Sequence, residues 1–118
     1  MSRLMTNEYQ VLATPVFKIT LRKLEAFLSR KYSNELAKKT KRSIKDKISI
    51  MLTSNPHIAP QSERLLELGV TDYHQLTVDK QNIIDFRIDE QQKTVVLIAV
   101  MDSRQDLQKL LFEVSIEF

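Results

Sequence analysis

The stretch Thr94-Val95-Val96-Leu97-Ile98-Ala99-Val100-Met101-Asp102-Ser103-Arg104-Gln105-Asp106-Leu107 decides the fold. Val95 to Val100 is a near-continuous β-branched and apolar run, the pattern of a central strand buried on both faces. It passes at once into a helical stretch, expected from Arg104 to about Phe112. Ser103 stands as candidate N-cap of that helix. Asp106, three residues on, is close to the capping-box pattern and favourable to the helix dipole.

Two further strand-like runs precede it, Tyr73–Val78 and Asn82–Ile88. Asp79-Lys80 and Asp89-Glu90-Gln91-Gln92 supply the hairpin turns between the three. Earlier in the chain the period changes from two to 3.6. Thr14 is placed to cap a first helix with Pro15 at its first position. Phe17, Leu21, Leu24 and Leu28 then fall on one face, with Phe27 beside them. Tyr32-Ser33-Asn34-Glu35 breaks the pattern, and Ser33 suits the cap of a second helix. Its apolar stripe is Leu36, Ala37, Ile44, Ile48, Met51 and Leu52, with Lys38, Lys41, Arg42 and Lys45 opposite. Asn55-Pro56 ends it. Tyr9 to Pro15 reads as a short first strand. His57 to Thr71 reads as a connector with an amphipathic piece around Leu65, Leu66 and Leu68. The order β-α-α-β-β-β-α predicts an α+β fold: an N-terminal strand, a helical hairpin, a three-stranded antiparallel meander and a C-terminal helix, with the hairpin packed on the sheet.

At 118 residues, 42% hydrophobic and 28% charged, the chain is expected to form one domain, residues 1–118, around one core. It has no cysteine, which removes disulfides, thiolate metal sites and a cysteine nucleophile and fits a reducing, cytoplasmic compartment. No stretch approaches a membrane span. Met1 to Asn7 lack the apolar block of a signal peptide. One glycine, Gly69, excludes phosphate-cradling glycine loops, and two histidines, His57 and His74, do not make a conventional histidine metal cluster. No cofactor and no metal are expected. The net charge of +3 hides an asymmetry: residues 18–47 carry eleven Lys/Arg against three Asp/Glu, a local net of +8. From 48 to 118 there are six Lys/Arg and eleven Asp/Glu, a net of −5. Such polarity points to a partner that is anionic over part of its surface: nucleic acid, an acidic peptide or an acidic protein patch.

Two stretches carry a family likeness. Leu65-Leu66-Glu67-Leu68-Gly69-Val70-Thr71-Asp72-Tyr73-His74-Gln75-Leu76, followed by Asn82-Ile83-Ile84-Asp85-Phe86-Arg87-Ile88-Asp89, is similar to a leader with "DYR-x-L" and "Y-R-V" strands. Val95 to Leu107 resembles a valine-rich strand running into "H-x-R-Q-D-L". In order and spacing these resemble the ParE/RelE toxin superfamily, and the Arg104-Gln105-Asp106-Leu107 ending resembles its ParE branch. The likeness spans residues 8–112. His74 stands where the family often has arginine, and Met101-Asp102 where ParE proteins often have histidine. The resemblance implies the toxin of a type II toxin–antitoxin system, with a role in plasmid or prophage maintenance. It would be neutralised by a cognate antitoxin in a hetero-oligomer and act on DNA gyrase with its bound DNA. The alternative on this fold is a RelE-like ribosome-dependent messenger RNA endoribonuclease, and a third reading is a non-toxic member that keeps only antitoxin binding.

Cleavage of RNA at a 2′-hydroxyl needs a base, an acid and cations for the phosphate. Arg87 and Arg104 are cations, but the last strand carries no His or Tyr, and Glu113 and Glu117 come late. No catalytic residue is assigned. The target-binding candidates are Arg87, Arg104 and Asp106; the basic-surface candidates are Lys38, Lys41, Arg42 and Lys45. Each has a plainer reading. The lysine cluster is a solvated helix face, and Asp106 a helix-terminal stabiliser. Arg104 is either cap support or contact, and Arg87 pairs across strands with an acid such as Asp85. His74 reads as an ordinary strand histidine. Val114 to Phe118, alternating apolar and polar, adds a strand, packs on the helices or sits in an oligomer contact.

Overall fold

The computed structural model describes residues 8–69 and 72–117, with backbone alone at Arg64 and Leu65. The expectations on Met1 to Asn7, Val70, Thr71 and Phe118 lie outside the described residues. Strand β1 (Gln10–Ala13) leads into helix α1 (Pro15–Lys31) and helix α2 (Asn34–Lys47). Helix α2 continues through a wider π-type turn, Ile48–Leu52. A 3-10 turn at Pro56–Ile58 and the short helix α3 (Glu63–Glu67) precede β2 (Tyr73–Val78), β3 (Asn82–Asp89), β4 (Thr94–Asp102) and helix α4 (Leu107–Glu117). The four strands form one sheet in the order β1-β4-β3-β2, antiparallel except that β1 runs parallel to β4.

The local chemistry explains the boundaries. Thr14 Oγ1 accepts from Phe17 N at 3.1 Å with Pro15 just inside α1, and Ser33 Oγ accepts from Leu36 N at 3.0 Å at the start of α2. Both are N-caps of the kind that satisfies an orphan amide of the first turn. Asp79 and Lys80 in the β2–β3 turn both have positive φ, 53° and 67°, as the right-handed twist of a tight hairpin demands. The segment 60–62 runs beside β2, where Ser62 N donates to Tyr73 O at 2.7 Å and Gln75 N to Pro60 O at 2.9 Å. That contact covers one edge of the sheet. Leu66 and Leu68 around α3 are exposed, so the apolar side chains described there do not build a buried face.

One face of the sheet carries the core. Phe17, Leu24 and Leu28 of α1 and Ala37 and Ile44 of α2 meet Leu76, Ile84, Phe86, Val95, Leu97 and Val100, all buried. Each large side chain so buried stabilises the fold by roughly 1.5–3 kcal/mol. Strand β4 contains a bulge: Phe86 pairs with Leu97 but Asp85 with Ala99, leaving Ile98 between. Helix α1 takes up the backbone groups displaced there. Thr14 Oγ1 donates to Leu97 O at 2.8 Å, and the buried Thr20 hydroxyl accepts from Val100 N at 3.0 Å while donating to Phe17 O. The helix is thus docked to the strand by its threonines as well as by its leucines.

The expectation that β4 is buried on both faces is corrected. Val95, Leu97, Val100 and Asp102 are buried, whereas Val96, Ile98, Ala99 and Met101 are only half-buried. Helices α1 and α2 lie against one side of the sheet. The last helix starts at Leu107, not Arg104, and extends to Glu117. The alternating tail from Val114 to Glu117 is helical, so the added-strand reading does not hold there.

Candidate functional site

The uncovered face of the sheet follows from the pleat. Side chains paired across strands share a face, and the register sets out four rows. Gln10, Thr94 and Asp89 form one; Leu12, Val96, Arg87 and Tyr73 the next; Ala99, Asp85 and Gln75 the third, with the bulged Ile98 beside it; Met101, Ile83 and Thr77 the fourth. An apolar strip of Leu12, Val96, Ile98, Ala99, Met101 and Ile83 runs between polar and charged neighbours, and Leu12 at the β1 edge is more than half exposed. Arg87 stands between Tyr73 and Val96. It makes no ion pair or hydrogen bond among the described residues, so the expected pairing with Asp85 is corrected. The two lie two positions apart on one strand, about 7 Å. Gln75, directly opposite Asp85, donates to its carboxylate at 2.9 Å.

Arg104 lies on the other side of the sheet. Asp102 closes β4 facing the helices and is fully buried. Its Oδ1 accepts from Arg104 Nε and from the Arg104 backbone N, each at 2.8 Å, and its Oδ2 from Arg104 Nη2 at 2.6 Å. The remaining Arg104 nitrogen donates to Tyr32 OH at 3.0 Å, and the guanidinium lies 4.7 Å from that ring's centroid. Burial alone raises the Asp102 carboxyl, but the Arg104 hydrogen bonds hold it below its ordinary value. The same pairing raises Arg104 further. The forked donor geometry of arginine is what such a bidentate clamp requires. It ties the end of β4 to the C-terminal end of α1.

Asp106 is the N-cap of α4: its Oδ1 accepts from Lys109 N at 3.1 Å and its carbonyl from Leu110 N. The expectation of Ser103 in that role is corrected, for Ser103 Oγ donates to Gln81 at 2.7 Å. The structure therefore brings Arg104 and Asp106 to one strand–helix junction and keeps Arg87 apart. On α2, Lys38, Arg42 and Lys45 are exposed and Lys41 pairs with Glu25 at 3.3 Å. An apolar cavity of about 340 Å³ opens between α1, α2 and β1, floored by Phe17, Leu21, Ile44 and Ile48 and edged by Lys18 and Lys45.

One constellation has no counterpart in the sequence reading. At the far end of the sheet, Glu90 accepts from Tyr9 OH at 2.8 Å, from Lys93 Nζ at 3.2 Å and from His57 Nε2. Its pKa falls from 4.5 to about 2, chiefly through His57 and then Tyr9. The pairing with Glu90 raises Lys93. An acid–base set therefore does converge, from residues up to 84 positions apart. The only sequence signal was their chemical type. His74, by contrast, is buried, stacks on Phe86 at 5.5 Å and bonds Ala59 O through Nδ1 at 2.9 Å. That is the ordinary strand role expected of it.

No protein-family model matches the chain, and no curated protein matches it. Solved structures do. The chain is similar to one from the chromosomal ParDE toxin–antitoxin system of P. aeruginosa, with TM-score 0.65 and 15% identity, over 82% of this chain and 98% of that one. It is also similar to a chain of the toxin–antitoxin complex RelBE2 of Mycobacterium tuberculosis, with TM-score 0.59 and 18% identity, over 84% and 94% of the two chains. The chain shares the fold of these two solved chains.

Proposed function

We propose that this chain is the toxin of a type II toxin–antitoxin pair, that it works in the cytoplasm, and that its target is DNA gyrase with bound DNA. One observation carries the choice of target: the open sheet face bears an apolar strip along β4 bordered by polar groups, with Arg87 as the one cation on it among the described residues. Such a face suits a protein surface, where apolar patches rimmed by polar groups mark docking sites and arginine is a favoured anchor. A cleft made to hold an RNA phosphate near its scissile bond needs several converging cations. The toxin does no bond chemistry on this reading; it holds gyrase after the enzyme has cut, so that religation is blocked.

The partner follows from the cavity between α1 and α2. Its floor is apolar and its edge is Lys18 and Lys45, on the hairpin where net charge reaches +8. An antitoxin segment with apolar anchors and acidic flanks suits both features, as disordered segments that fold on binding do. The toxin and antitoxin would form a hetero-oligomer.

A second reading, a messenger RNA endoribonuclease, draws support from the Tyr9–His57–Glu90–Lys93 set and from Tyr73, Asp85 and Arg87 on the open face. Purified chain mixed with gyrase, ATP and supercoiled plasmid, then stopped with detergent and protease, separates the two. Linear plasmid that disappears when antitoxin is added supports the gyrase reading. Full supercoiling with no linear DNA, from protein that arrests growth and leaves cut transcripts, supports the nuclease.

A further inference from the structure

Helices α1 and α4 run antiparallel and enclose a groove of about 300 Å³ that none of the roles above uses. Its walls carry Lys23, Arg30, Lys31 and Lys109 against two carboxylates, Asp106 and Glu113. Asp106 is already engaged in capping α4, and Lys23 is held by Glu117 at 3.1 Å. Arg30, Lys31 and Lys109 have no ion pair among the described residues and are exposed. Phe27 lies in the groove with Lys31 Nζ 5.7 Å from its ring centroid. At the groove's end Tyr32, 44% exposed, meets Phe27 edge-on with centroids 6.5 Å apart. Arg104 stacks on the same tyrosine.

We infer that this groove binds a single-stranded nucleic acid segment, with the phosphates on Arg30, Lys31 and Lys109 and a base against Tyr32. Cations that track a backbone, interleaved with aromatic rings that accept any base, are the components of sequence-independent single-strand binding. Arginine and lysine stacked on those rings add a cation–π contribution. The α1–α2 cavity is built differently, with an apolar floor and few charges, as a peptide anchor site is. The inference does not depend on which target the toxin has.

The probes are fluorescein-labelled twelve-nucleotide oligo-dT and oligo-U, a twelve-pair DNA duplex and a polyglutamate peptide, followed by fluorescence anisotropy with the full chain from 50 to 200 mM salt. Both single strands should bind, with a slope of log affinity on log salt of about −2 for three phosphates. Arg30→Glu/Lys31→Glu/Lys109→Glu should abolish binding. Lys38→Glu/Arg42→Glu/Lys45→Glu, an equal change of charge on α2, should leave it within about twofold. Tyr32→Leu should weaken binding about tenfold and Tyr32→Phe, which keeps the ring, should not. Circular dichroism confirms that each variant is folded. Three results overturn the inference: no binding to either single strand at the lowest salt, equal loss in the two charge variants, or polyglutamate binding as tightly as the oligonucleotides.

Discussion

Replacing Thr20 by Val exchanges one hydroxyl for a methyl group at nearly constant volume. Thr20 is 3% exposed, and its hydroxyl is the acceptor for Val100 N at 3.0 Å. That amide follows the bulge in β4. The valine would leave the amide buried with no partner, which costs about 1–3 kcal/mol. The added buried methyl returns roughly 0.8 kcal/mol. A net loss of about 1–2 kcal/mol lowers Tm by roughly 4–8 °C in a chain of this size. Thr20→Ser keeps the acceptor and loses only a methyl, so the two variants separate on a local readout. Native-state hydrogen exchange at Val100 should lose protection by at least about tenfold in Thr20→Val, one such factor corresponding to about 1.4 kcal/mol. It should keep its protection in Thr20→Ser. If Thr20→Val melts with the parent and its Val100 amide stays protected, the bulge is not held by α1 and the docking argument is wrong.

Lys80 has φ of 67° in the β2–β3 turn. Lys80→Gly should raise stability by about 0.5–1 kcal/mol in urea unfolding, because glycine enters that region without steric cost. Glu90 has a folded pKa of about 2 against an ordinary 4.5. A depressed carboxyl contributes stability that is full above the unfolded value and is lost as pH falls through the folded one. The urea midpoint should therefore drop between pH 4.5 and 2, and Glu90→Gln should flatten that drop. Asp102→Asn should destabilise the junction of β4 and α4 by about 1–2 kcal/mol, because a buried carboxylate loses its charge-assisted bonds to a partly exposed guanidinium. Thermal unfolding at neutral pH measures it.

Much of the fold was legible because it is written in local chemistry. Thr14-Pro15 and Ser33 begin their helices by capping that depends on three or four consecutive residues. Strand β2 spans the same Tyr73–Val78 that alternation picked out. The misses share another cause. Ser103 and Asp106 are both competent caps, and the choice between them is made by the Arg104–Asp102 clamp and Tyr32, 72 residues away. An apolar run such as Val95–Val100 reads alike whether a helix covers its second face or no described element does. His57 meets Glu90 only because the 3-10 turn and the β3–β4 turn fold to the same end of the sheet. Of the candidate site residues, Asp106 took the structural role expected of it, and Arg104 a firmer one than expected. Arg87 was left facing outward.

The target assignment rests on that outward face, and one substitution at its centre tests it. Val96 is half-buried, next to Arg87 in register. A folded Val96→Glu variant should leave antitoxin binding intact, because the apolar cavity between α1 and α2 lies on the other side of the sheet. In the gyrase assay with supercoiled plasmid, the parent chain should accumulate linear DNA and Val96→Glu should not. Equal accumulation by both would show that the sheet face is not the docking surface. No accumulation by the parent, with cleaved transcripts in a translating extract, would contradict the account at its centre.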